Sequence, residues 1–305
     1  VAPPSVGSPH VGSPSVASLV AEARALLRAA GIASADLDAR LLAGAALGLD
    51  AAGLILRAHD AAAPDAAARL AAMTARRLAH EPVHRILGRR AFGEHEFALS
   101  PETLEPRPDT ETLVDLAAEA MALRGDAPLL FADVGTGTGA IAVCLLARFP
   151  RSRCVAVDLA EGALETARRN AAAAGVADRF WPLRADYLLA LGRPLDCVVS
   201  NPPYIPTAEL DTLDPGVRRF DPALALDGGP DGLVAYRRLV GEAAALLVPG
   251  GDLLFEIGRG QAEDVAGLAA AVGLRAVTTR ADLSGIARAL WFRRGGMADF
   301  PPECG

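Results

Sequence analysis

Lysine is absent from this chain: all 30 basic side chains among its 305 residues are arginine. That excludes a lysine Schiff base, a lysine general base and the phosphate-gripping lysine of a P-loop, because a guanidinium stays protonated and cannot stand in. Cysteine is scarce as well. Cys144, Cys154, Cys197 and Cys304 show no C-x-x-C spacing, and the first three lie in apolar runs that suit small buried thiols. A disulfide framework is therefore not expected, and a reducing, cytoplasmic compartment is. Arginine and aspartate interrupt even the alanine-rich stretches, so nothing approaches the roughly 18 continuous apolar residues of a membrane-spanning helix. Positive charge is lacking too. The net charge is −7, with acids outnumbering arginines beyond residue 100, which argues against a duplex-DNA footprint.

What is present is the composition of a folded chain, 51% hydrophobic and 22% charged, long enough for two domains. Residues 1–16, rich in Pro, Gly and Ser, read as a disordered tail without the basic start and apolar run of a signal peptide. Over 17–88 the pattern is helical, with Leu19, Val20, Ala23, Leu26 and Leu27, then Leu37, Leu41, Leu42 and Ala45, at three- and four-residue spacing. This predicts a bundle of four or five short helices. Segments 89–92 and 95–99 predict a hairpin inside a linker spanning 89–108, and a second domain over 109–297 precedes a tail at 298–305. In that domain LLFADV, CVAVD and LDCVVS alternate with helical segments, so the fold class is α/β with a doubly wound parallel sheet. GGDLLFEIG, LRAVTTR and ALWFRR predict three more strands, the last two as an antiparallel hairpin at the sheet edge.

Asp133-Val-Gly135-Thr136-Gly137-Thr138-Gly139-Ala140 follows a strand and opens a helix. Its glycines let backbone approach a ligand beside the unpaired N–H groups of a helix N-terminus. Asp158 ends the next strand, where a carboxylate can accept from both hydroxyls of a ribose. The motif predicts a nucleoside ligand. The spacing fits both NAD and S-adenosylmethionine; an acid, one apolar residue and then G-x-G-x-G looks more like the methyltransferase form. Asp186 and Tyr187, after a third strand, are candidates for the adenine amine and ring.

Ser200-Asn201-Pro202-Pro203-Tyr204 follows LDCVVS, at the end of a parallel strand where ligands of open sheets bind. Two prolines fix φ and remove two N–H donors, leaving carbonyl acceptors; Asn201 adds an amide oxygen and Tyr204 a flat face. Such a set grips an NH2 group carried on a planar group. An amide or aromatic amine has a delocalised lone pair, and acceptors aimed at its N–H bonds favour pyramidalisation toward an electrophilic methyl. The catalytic candidates are Asn201, Pro202 and Tyr204, with Pro203 joining them in substrate binding. His80-Glu-Pro-Val-His84 matches the H-E-x-x-H zinc motif, but Pro82 breaks the helix that motif requires. No metal site is expected. Arg107, Asp109 and Glu111 admit two readings: a roof over the pocket, or a structural ion pair with Asp109 capping a helix over 110–123.

These motifs, with Glu81-Pro82, Pro106-Arg-Pro-Asp-Thr-Glu111, Asp221-Pro, Ala225-Leu-Asp-Gly-Gly-Pro-Asp-Gly232 and Glu256-Ile-Gly with Gln261, resemble the protein-(glutamine N5) methyltransferases of peptide-chain release factors, the HemK/PrmC family. The resemblance covers roughly 17–295. It implies a Rossmann-like class I methyltransferase sheet with a small helical N-terminal domain that helps hold the release factor. It also implies S-adenosylmethionine as cofactor and the Gln of the Gly-Gly-Gln loop of a class I release factor as target. By motif, Asp133, Gly135, Thr136, Gly137, Thr138, Gly139, Asp158, Asp186, Tyr187 and Asn201 would bind the cofactor, with Tyr187 standing where many relatives have Trp. Asn201, Pro202, Pro203 and Tyr204 would hold the Gln amide. A monomer with no nucleic-acid or membrane partner is the further expectation. The alternative is an adenine N6 or guanine N2 methyltransferase, since those amines need the same clamp.

Overall fold

The computed structural model describes residues 13–295, and by internal contacts the chain separates into Val1–Leu87 and Gly88–Gly305. The first unit holds α1 (Val16–Ala29), α2 (Ala35–Leu47), α3 (Ala51–Leu56), α4 (Pro64–Leu78) and α5 (Val83–Leu87). Ser15 caps α1 by accepting from the Ser18 N–H at 3.2 Å, and it bridges to Ala61. The tail expected over 1–16 therefore stops short of Ser15. Its residues 1–12, and the tail expected at 298–305, fall outside the described residues.

The core of this unit is leucine and alanine: Leu19, Ala23, Leu27, Ala39, Leu42 and Leu70 among others. Small side chains let the helices approach closely. The periodic stripe shifts in places: Leu26 of α1 is exposed, as are Leu37 and Ala45, and α2 buries Ala35, Asp38, Ala39 and Leu42 instead. In α2 the cause is polar. Asp38, 2% exposed, accepts from Arg77 of α4 at 2.7 Å and from Ser34 Oγ at 2.9 Å, and that buried pair turns its face of α2 inward. Between α4 and α5, His80 has φ 68° and α5 starts only after Pro82. His80 and His84 share no helix.

The second unit opens with a two-stranded hairpin, β1 (Arg89–Phe92) and β2 (His95–Ala98), followed by α6 (Thr110–Ala122). Phe92 and Phe97 are buried in the core of this unit, and Asn170 both donates to and accepts from the Ala98 backbone at 3.1 and 2.9 Å. The hairpin thus packs as part of the sheet unit. Then come β3 (Leu130–Val134), α7 (Ala140–Arg148), β4 (Arg153–Asp158), α8 (Glu161–Ala173), β5 (Phe180–Arg184) and β6 (Leu195–Ser200). The chain continues through α9 (Pro215–Phe220), α10 (Val234–Leu246), β7 (Leu247–Glu256), α11 (Ala262–Ala271), β8 (Leu274–Ala281) and β9 (Ala287–Arg294).

The sheet order is β5-β4-β3-β6-β7-β9-β8, parallel from β5 to β7. Its strands read as nearly continuous apolar runs because both faces are covered. Phe131, Cys197 and Val199 face one core, Ala132, Val134 and Val198 the other. After β3 the chain winds outward through β4 and β5, then returns to the other side of β3 as β6, so their loops diverge and leave a crevice. The last two strands form the antiparallel hairpin expected at the sheet edge, with β8 outermost and β9 between β7 and β8. Burial sets which strand lies outside. Leu290, Trp291 and Phe292 of β9 are all buried, whereas β8 is exposed from Arg275 to Thr279. No helix among the described residues is long and apolar enough to cross a membrane.

Candidate active site

The crevice is a cavity of about 440 Å³ at the carboxyl ends of β3, β4 and β6. Its wall includes Gly135 to Thr138, Asp158, Asp186, Tyr187, Asn201 and Pro203. Of the residues singled out from sequence, Asp133, Gly139, Pro202 and Tyr204 stand behind that wall.

The glycine loop leaves β3 with φ of 72°, 55° and 80° at Gly135, Gly137 and Gly139. A Cβ on Gly135 would meet no protein atom within 4 Å and would protrude into the space this residue lines. The loop is tied down by acids. Asp158 accepts from the Gly137 N–H through Oδ2 and from the Ala160 N–H through Oδ1, each at 2.9 Å; burial raises its pKa and those N–H groups hold it down. Asp133 is fully buried and accepts from Thr136 Oγ1 at 2.7 Å and the Ala142 N–H at 3.2 Å, while its Oδ1 has no partner. Burial pushes its pKa up to about 7. The Thr138 carbonyl accepts from Asn170 at 2.8 Å, so the side chain that anchors the β1–β2 hairpin also fixes the loop.

Past β5, Tyr187 has the left-handed φ of 57°. The guanidinium of Arg238, from α10, stacks over its ring at 4.5 Å and donates to Asp186 Oδ2 at 2.9 Å. One ring face and one carboxylate oxygen are thereby engaged. Arg238 lines the cavity and carries no sequence signal, being one arginine of an ordinary helix.

Opposite, Ser200 Oγ donates to the Val134 carbonyl at 2.6 Å, joining the ends of β6 and β3. Asn201 Nδ2 donates to Thr110 Oγ1 at 3.3 Å, and Tyr204 packs its ring edge toward Gly258, burial pushing its phenol up to about 12. The Ala225–Gly232 motif turns out to be the backing of this segment. Ile205 N–H donates to the Leu226 carbonyl at 3.1 Å, Gly228 N–H to the Ile205 carbonyl at 2.8 Å, and Gln261 Nε2 to the Tyr204 carbonyl at 3.0 Å. At Gly232, with φ 74°, a Cβ would lie 2.4 Å from that same carbonyl oxygen, so no side chain fits.

Arg107 lines the cavity and donates to Asp221 at 2.5 Å, while Glu111 accepts from the Gly93 N–H at 3.1 Å. Arg107 thus combines the two roles left open for it. Asp109 does not cap α6: it has helical φ and ψ and makes no side-chain cap, its carboxylate lying 3.4 Å from Arg288 instead. Glu256, the last residue of β7, is buried behind Asn201, with its carboxylate facing the side chains of Thr110 and Asn201. A signal for it existed in the sequence: like Asp158, it is an acid closing an apolar strand.

Known proteins resemble this chain over most of its length. Residues 18–88 match the family model of the PrmC N-terminal domain, and residues 111–213 that of the methyltransferase small domain. The release factor glutamine methyltransferase of Bradyrhizobium diazoefficiens is 49% identical over 274 residues, 88% of this chain and 92% of that protein. Those of Rhodospirillum rubrum and Deinococcus radiodurans are 45% and 42% identical, covering 90% and 91% of this chain and 84% and 98% of theirs. Among solved structures, the hMettl16 catalytic domain superposes with a TM-score of 0.53 at 15% identity, over 72% of this chain and 81% of that one, a likeness of fold alone.

Proposed function

The chain belongs to the release factor glutamine methyltransferase family, and from that premise we propose that it methylates the side-chain amide nitrogen of the Gln in the Gly-Gly-Gln loop of a class I peptide-chain release factor. The observation that carries the reading is the shared cavity: Asn201 and Pro203 line it together with Gly135–Thr138 and Asp158.

The residues present suit S-adenosylmethionine. The space left by the missing Cβ of Gly135 admits a ligand against bare backbone, and the Asp158 oxygens, each with one N–H partner, keep a lone pair for a ribose hydroxyl. Asp186 and Tyr187 would flank the adenine, Tyr187 with the face Arg238 leaves uncovered. Thr136 and Thr138 line the cavity beside Gly135, while Asp133 and Gly139 shape the loop from behind it. When bound, S-adenosylmethionine supplies a methyl group made electrophilic by a sulfonium.

The chain's own residues then act on the Gln. The Asn201 amide oxygen and a backbone carbonyl of the Pro202–Pro203 pair accept from its two N–H bonds, the two proline rings fix that backbone, and Tyr204 holds the segment in place. These acceptors draw the nitrogen out of conjugation so that its lone pair faces the methyl carbon. The methyl would come from the sulfonium of S-adenosylmethionine, which would leave as the neutral thioether, and the nitrogen, cationic once methylated, would release its proton to water without a strong base. A Glu in place of Gln has no N–H for these acceptors and is rejected. In this reading a single chain meets the factor in the cytoplasm, and the helical unit contributes to holding it.

The test is methyl transfer from labelled S-adenosylmethionine to a bacterial class I release factor and, separately, to adenine-containing single- and double-stranded DNA, with mass spectrometry of the digests. One methyl on the Gln of the Gly-Gly-Gln peptide is the expected result. Label in DNA and none in the factor overturns the reading.

A further inference from the structure

The parallel register that sets Ser200 beside Phe255 brings the residues that follow, Asn201 and Glu256, together at the strand ends. Glu256 is 1% exposed, and its carboxylate faces the side chains of Thr110, the first residue of α6, and Asn201, both of which act to lower its pKa. Its Oε2 has no partner. Asn201 Nδ2 donates to Thr110 Oγ1 at 3.3 Å, so three side chains meet at the cavity wall, Asn201 and Thr110 lining it and Glu256 behind them. On the far side, Tyr236 Oη donates to the Glu256 backbone carbonyl at 2.8 Å and fixes that strand end.

A carboxylate can only accept, whereas an Asn amide has a donating and an accepting end that differ little in shape. With an acceptor behind it, Asn201 turns Nδ2 inward and leaves Oδ1 toward the cavity. The opposite flip would set donors against the N–H bonds of a Gln amide. We infer, resting on the reading of Asn201 as an amide clamp, that Glu256 is the positioning residue of this clamp: it selects the orientation in which Asn201 presents its oxygen to the substrate amide. The groups facing Glu256 are Arg288 from β9, Asp109 ahead of α6, Tyr204 and Tyr236. Burial raises its pKa to about 7. Once protonated it gains an O–H that can donate to Asn201 Oδ1 and release the amide to turn, so turnover should fall on the acid side.

The experiment measures kcat and KM with release factor, affinity for S-adenosylhomocysteine by calorimetry, and thermal midpoint, for Asn201→Ala, Glu256→Leu, Glu256→Gln and the double variant Asn201→Ala with Glu256→Leu. Glu256→Leu should lower kcat by on the order of 10²-fold, with KM and S-adenosylhomocysteine affinity within about 3-fold. In the Asn201→Ala background the same change should cost less than about 3-fold, because Glu256 acts through Asn201. An equal loss in both backgrounds, or kcat within about 3-fold of wild type, overturns the inference and leaves the clamp standing. If Asn201→Ala itself turns over normally, the clamp falls and the inference with it. Should Glu256→Leu fail to fold, the pH profile of Glu256→Gln decides: the acid limb near pH 7 in the wild type is expected to vanish, and an unchanged limb overturns the inference.

Discussion

The two walls of the cavity are held by opposite chemistry. The glycine loop is pinned by acceptors: the Asp158 carboxylate takes the Gly137 N–H, the Val157 carbonyl takes the N–H groups of Gly135 and Thr136, and Asp133 takes the Thr136 hydroxyl. The Asn-Pro-Pro-Tyr wall has no N–H at either proline and is pinned largely by donors reaching its carbonyls, Gln261 Nε2 to Tyr204 and Gly228 N–H to Ile205. A loop that must follow a ligand's contour keeps glycines and is steered by buried carboxylates. A segment that must offer oxygens at fixed positions keeps prolines and is backed by close-packed chain. Only at Asn201 does an acid serve this second wall, and there it governs an amide orientation.

Separating the walls is the strongest test of that contrast. Asn201→Ala should lower turnover by on the order of 10²-fold or more while S-adenosylhomocysteine affinity, read by calorimetry, changes less than about 3-fold. A matching loss in affinity would merge the two walls into one unit.

The acids behind the walls sharpen the comparison through stability. The folded pKa of Glu256 is raised from 4.5 to about 7 by burial, so its contribution to stability is fully present below about pH 4.5 and is lost as pH rises through about 7. A displacement of that size corresponds to roughly 3 kcal/mol at most. Glu256→Gln removes the titration, and its thermal midpoint relative to wild type should be higher at pH 8 than at pH 5. A difference independent of pH would mean the carboxyl ionises normally.

Asp158→Ala acts on the first wall. It should weaken S-adenosylhomocysteine binding by about 10-fold, through the lost ribose acceptor and a loosened Gly137, while kcat at saturating cofactor moves less. Unchanged affinity in calorimetry would remove Asp158 from the ligand. The smallest effect belongs to a region outside both walls. Ser15→Ala deletes the α1 cap and should cost about 1 kcal/mol in denaturant unfolding, leaving turnover and affinity as they were.

Features carried by contiguous chain were legible before any tertiary contact was known. The glycine loop, Asp158 and the Asn-Pro-Pro-Tyr segment each follow an apolar strand directly, and a parallel sheet necessarily sets such strand ends along one edge. The misreadings arose where side chains choose among distant partners. Asp109 reads as a helix cap but faces Arg288 from the far end of the chain. Leu37 reads as core, but the Asp38–Arg77 pair claims the inward face of α2. The edge hairpin of the last two strands is as expected, and burial sets its order: β9 lies between β7 and β8 because its Leu290, Trp291 and Phe292 are the more apolar run.

By itself the sequence determined the alternation of strands and helices, the two ligand-facing loops and the chemistry each can offer, because period, glycine and proline act within a few residues. Only the tertiary structure decided what stands behind those loops. Arg238 over Tyr187, Gly232 under Tyr204 and Glu256 behind Asn201 are separated by 51, 28 and 55 positions along the chain, and their meeting depends on strand order and register, which are set by burial across the whole sheet.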